Sequence, residues 1–230
     1  MDMHTGILYG CSAAVVVPGT QLLRALAVPP SDDGGGRAIL RAVRREPAPV
    51  VSVAMVSLMA AAAVAQSVFP ALVDHLEPAP GAPWWRLLTA TLVQSSGGFQ
   101  TLFNLAALIA VAPVAEWLLG PARRLLVYVA SGPAANVVSA VGWSPRGAGD
   151  SVAICGLVGA MATLYALTGG IPALRRLVLL IPTAGAVLCL LANNHGVGVL
   201  AGCALGAVLV MRPGPGTATS GPRRFERLPS

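Results

Sequence analysis

From Val50 onward, long apolar runs alternate with short polar or Gly/Pro-rich breaks. The runs cover about Val50 to Val73, Phe99 to Leu119, Leu125 to Trp143, Ser151 to Leu167, Leu177 to Ala192 and His195 to Met211. Each comes close to the ~20 residues a helix needs to cross ~30 Å of hydrocarbon, the last ones being lean. Lipid offers unpaired backbone groups no partner, so only helices and closed barrels can span it. The runs lack the strict alternation of barrel strands, and the pattern predicts an all-α membrane protein with a six-helix bundle. Ahead of it, Gly6 to Val17 is apolar but short, lacks a basic leader and is followed by Pro18-Gly19. Residues 1–30 therefore read as a tail or interfacial segment, a seventh span being the less favoured alternative. Pro29 to Gly36 is a Gly/Pro-rich linker, and Arg37, Arg41, Arg44 and Arg45 form a basic juxtamembrane cluster. Three regions follow: an N-terminal tail at 1–47, a membrane domain at 48–211 and a disordered basic tail at 212–230.

Composition agrees. Hydrophobic residues make up 55% of the chain and charged residues 10%, where soluble domains carry roughly 25% charged residues. The net charge of +6 does not indicate nucleic acid, because the arginines sit in short clusters between apolar runs. One side receives Arg24, Arg37, Arg41, Arg44, Arg45, Arg123, Arg124, Arg175, Arg176, Arg212, Arg223, Arg224 and Arg227; the other receives only Arg86 and Arg146. The positive-inside rule then makes both termini cytoplasmic and turns loops 74–98, 144–150 and 193–194 outward. Cys11, Cys155, Cys189 and Cys203 lie in apolar stretches without C-x-x-C spacing, so they read as packing residues, with neither a metal site nor a disulfide framework indicated.

Polar residues within spans are functional candidates by default, and here they are Gln100, Asn104, Glu116, Asn136, Ser151, Asn193, Asn194 and His195. Ser151 and His195 head two spans that run the same way, so they lie at similar depth near the outer face. A serine hydroxyl needs a base to become a nucleophile, and histidine is the usual one. His195, Gly198, Gly202 and Gly206 share one helix face, as do Ser151, Cys155 and Gly159. Two small-residue stripes topped by these groups would let their helices approach closely. Each group also has a plainer reading: Gly149-Asp150-Ser151 is an ordinary helix start, and Asn193-Asn194-His195 a polar cap.

Five segments in order resemble the rhomboid family of intramembrane serine proteases, across roughly residues 48–211. They are Trp85-Arg86, Leu102-Phe103-Asn104, Glu116 to Gly120, Gly149-Asp150-Ser151 continuing to Ala160, and His195-x-x-Gly198-x-x-x-Gly202. The resemblance implies a rhomboid-like bundle and a Ser151–His195 dyad without a third acid. It also implies an oxyanion site supplied by Asn104 with the Ser151 N–H, and no cofactor. Three positions depart from the family pattern: Gln100 stands for a histidine, Val152 for a glycine and Cys155 for an aromatic. Gln100 can still donate from its amide.

The expected function is intramembrane serine endopeptidase at the plasma membrane, acting on single-span transmembrane proteins amid membrane lipids, with no nucleic-acid partner. The alternative is a catalytically inactive rhomboid-like protein that binds transmembrane clients. A transporter or channel is disfavoured, since no charged residue sits mid-span to relay ions. Glu116 with Arg123 and Arg124 reads as an interfacial pair, and Asn136 as an interhelical hydrogen-bond group.

Overall fold

The computed structural model describes residues 3–27, 49–144 and 146–211. The linker at 29–36, the arginine cluster at 37–45 and the tail from 212 onward lie outside the described residues. Described residues form helices and no strands: α1 (Met3–Ala27), α2 (Val50–Val68), α3 (Ala71–Leu76), α4 (Arg86–Thr89), α5 (Gly97–Leu119), α6 (Pro121–Gly142), α7 (Ser151–Thr168), α8 (Pro172–Leu177), α9 (Leu180–Leu190) and α10 (Asn194–Met211). Among the described residues seven segments are long and apolar enough to cross a membrane, with α8 and α9 together making one of them.

The additional segment is α1. The apolar run breaks at Pro18-Gly19, but the helix continues through Pro18 to Ala27. Proline is tolerated inside apolar helices when neighbours cover the freed backbone, and α1 has such neighbours in α9, α5, α8 and α7. Leu22 is fully buried there. Other helix ends moved for local reasons. Pro70 stops α2 before Val73, and Pro121 at the first turn starts α6 ahead of its arginines.

The α5–α6 corner turns at Gly120, whose φ of 83° suits a residue without a side chain. Close by, the Glu116 carboxylate accepts the backbone N–H groups of Val51 and Ser52 at 3.2 and 2.6 Å and the Ser52 hydroxyl at 2.6 Å. An anion at the start of α2 suits the positive end of the helix dipole. Arg124, fully buried, stands 4.0 Å from Glu116 and donates to Met55 Sδ at 3.4 Å. Glu116 thus caps α2 first and pairs with an arginine second. Asn136 Nδ2 donates to Leu87 O at 2.9 Å, tying α6 to the connecting segment rather than to another span.

The middle of the bundle is α7. Of its span 56% is buried, against 17% for α2, and its closest companion is α10. Their seam is built from absent side chains. A Cβ at Gly202 would strike Gly156 O, one at Gly198 would strike Val152 O, and one at Gly206 would come within 2.7 Å of Ala160 O. Lipid provides little hydrophobic drive between helices, so such backbone contact supplies the packing. Both seam stripes begin at the residues with candidate chemistry.

Candidate active site

α9 ends in a tight turn that delivers histidine. Asn193 N–H donates to Leu188 O at 2.9 Å and Ala192 N–H to Cys189 O at 3.0 Å. This is the paired bonding of a Schellman ending. Ala192 holds the left-handed position, with φ of 53°. Asn193 then caps α10: its Oδ1 accepts the His195 backbone N–H at 3.0 Å and lies 2.9 Å from His195 Nδ1.

That pair of contacts selects the tautomer of the neutral ring. A backbone N–H can only donate, so Asn193 presents oxygen to it, and the same oxygen can only accept from Nδ1–H. Nε2 is left as the acceptor. It lies 2.9 Å from Ser151 Oγ, with both side chains half-buried. The structure therefore brings Ser151 and His195 together with the imidazole facing the hydroxyl as a base would. Asn193, weighed as a cap from sequence, is cap and ring anchor at once.

The segment before Ser151 is held by carboxamides. Gln100 Oε1 accepts the Ser96 N–H at 2.7 Å, and its Nε2 donates to Ala148 O at 3.2 Å. A Cβ on Gly149 would meet Gln100 Nε2 at 2.5 Å, Gln94 Oε1 at 3.0 Å and Asn104 Nδ2 at 3.6 Å. Gln100 and Asn104 thus both flank Gly149, two residues before the serine. Asn104, buried, donates from Nδ2 to Gln94 Oε1 at 2.7 Å.

Asp150 does not cap α7, since its side chain makes no bond to the helix start. It turns inward instead, accepting from Gln94 Nε2 at 2.8 Å and from the Tyr128 hydroxyl at 3.4 Å. Burial pushes this carboxyl above the usual carboxylate range, and the bond from Gln94 draws it partly back. In the sequence Gln94 is only a residue of an outer loop and Asp150 only part of a helix start. A lone glutamine in an outer loop carries no signal until its partners are known.

The two departures on α7 lie differently. Val152 is buried with its carbonyl against Gly198, while Cys155 is half-buried one turn below Ser151. Among the described residues no group of His, Cys, Asp and Glu is arranged to hold a metal.

With this geometry in place, comparison gives it a family. A family model described as Rhomboid domain matches residues 81–212, more than half of the chain. The chain belongs to the rhomboid family. It is 44% identical over 54 residues to YdcA of Bacillus subtilis (strain 168), which carries a rhomboid protease name; the match covers 24% of this chain and 27% of that one. It is also 40% identical over 78 residues to rhomboid protease GluP of the same organism, covering 34% of this chain and 15% of that one. The matched stretches thus span well under a third of either relative's length.

Proposed function

We propose that this protein is an intramembrane serine endopeptidase in which Ser151 is the nucleophile and His195 the general base. The observation that carries the reading is the 2.9 Å contact between Ser151 Oγ and His195 Nε2, with Nδ1 engaged by Asn193. Attack of Oγ on a peptide carbonyl transfers its proton to Nε2; the resulting imidazolium then protonates the departing amine. Water, deprotonated by the same nitrogen, releases the acyl group from Ser151. The Ser151 N–H at the start of α7, with Asn104 and Gln100 beside Gly149, would stabilise the oxyanion.

The substrate is a single-span transmembrane protein that enters from lipid and is cut near its outer end, where its helix opens. The enzyme lies in the plasma membrane, with the arginine-rich connections and the C-terminal end of α10 cytoplasmic. With α1 as a further crossing, the start of α1 falls on the outer side, which revises the expectation that both termini are cytoplasmic.

The test uses the full chain in proteoliposomes with a single-span substrate. Ser151→Ala and His195→Ala should each lower cleavage more than about 10³-fold, as for other residues acting as one catalytic unit. A fluorophosphonate probe should label Ser151 in the unmodified protein only. A second reading, a client-binding member without proteolysis, is favoured by the bulk of Val152 after the serine. Substrate that binds the unmodified protein but is neither cleaved nor protected from a probe would select it.

A further inference from the structure

The buried polar groups around Asp150 form one chain. Gln66, on α2, accepts the Gln94 backbone N–H at 2.9 Å and donates to Gln94 O at 3.3 Å. Gln94, thus fixed along its backbone, donates Nε2 to Asp150 Oδ1 and accepts Asn104 Nδ2 on its own Oε1. Tyr128 reaches Asp150 Oδ2 from α6. Side chains from three helices and from the loop at Gln94 therefore converge on the residue preceding the serine.

The polarity of this chain has one consistent solution. Ionised, the Asp150 carboxyl can only accept, so Gln94 turns its NH₂ toward Asp150 and its oxygen toward Asn104. Asn104 must then turn its own NH₂ toward Gln94 and the Gly149–Asp150 segment, where Nδ2 lies 3.6 Å from a Cβ position on Gly149. Reversed, Asn104 would present an oxygen where negative charge develops. We propose that Asp150 is a positioning residue that sets, through Gln94, which end of the Asn104 amide faces the reacting carbonyl. This rests on the reading of Ser151 as nucleophile and Asn104 as oxyanion donor. Asp150 is not a third member of the proton relay, because both ring nitrogens of His195 are engaged elsewhere.

The experiment compares Asp150→Asn, Asp150→Leu, Gln94→Leu and the Asp150→Leu/Gln94→Leu pair with the unmodified full chain in proteoliposomes, reading kcat, KM and Tm. Asp150→Asn keeps an oxygen toward Gln94 and should retain kcat to within about threefold. Asp150→Leu has the same branching but no acceptor; it should lower kcat by about ten- to a hundredfold with little change in KM, somewhat less than loss of an oxyanion donor outright. Gln94→Leu should do the same, and the pair should cost no more than either alone, since both cut one chain. Should Asp150→Leu fail to fold, Gln94→Leu against Asp150→Asn still decides. Equal kcat in Asp150→Leu and the unmodified protein, or losses that multiply in the pair, would overturn the proposal while cleavage dependent on Ser151 left the parent reading standing. An unmodified protein that neither cleaves nor labels at Ser151 would remove both.

Discussion

One oxygen of Asn193 serves two donors, and the direction of the imidazole depends on it. Asn193→Ala leaves the α10 start uncapped and frees the ring to rotate, so kcat for cleavage should fall about ten- to a hundredfold at nearly constant KM, within the range of general-base contributions. Asn193→Asp keeps the acceptor and should recover most of that loss. Asp150 gives a different expectation, read in stability. Its folded carboxyl holds its proton to higher pH than the unfolded one, because burial disfavours the charge. Tm should therefore fall as pH rises from the ordinary carboxylate range through the raised folded value, and Asp150→Asn should flatten that fall. An unchanged slope in Asp150→Asn would assign the titration to another group. These residue roles were only half legible in the sequence. His195 and Ser151 stood out because few polar groups interrupt the spans, whereas Gln94 and Asp150 gain meaning only from partners 56 residues apart.

The α7–α10 seam works at the scale of whole helices, and its stripes were readable because helical periodicity alone aligns Gly198, Gly202 and Gly206. What periodicity could not tell is which backbone each stripe meets. Gly202 faces Gly156 O with no room for a methyl. Gly202→Val should force the helices apart at a cost of about 1–3 kcal/mol, typical of overpacked interfaces. The measurement is Tm in detergent, with cleavage falling alongside because the seam sets the Ser151–His195 distance. Gly142, whose Cβ position is open, offers a control site where alanine should leave Tm unmoved. The end of α9 is the opposite case, a place with strain to remove. Ala192→Gly relieves a left-handed alanine and should raise stability by roughly 1 kcal/mol before the added freedom of the unfolded chain is counted.

At the scale of the molecule, the bundle follows from apolar run lengths, and the seventh helix escaped because a proline and a glycine sat mid-run. Pro18 was read as an end, yet inside a covered bundle it need not be one. The crossing count has a testable consequence. Single cysteines introduced before α1 and after Met211 should react with a membrane-impermeant thiol reagent from opposite sides of sealed vesicles; labelling from the same side would return α1 to the interface. Only two residues, Ala192 and Asn193, separate the last helical position of α9 and its cap from α10. That connection has almost no slack, and α1 packs against α9. Lateral displacement of α9 would be transmitted directly to the imidazole, like a lever on a short hinge. Any shift of α9 would then also retune the base, without a dedicated signal between them.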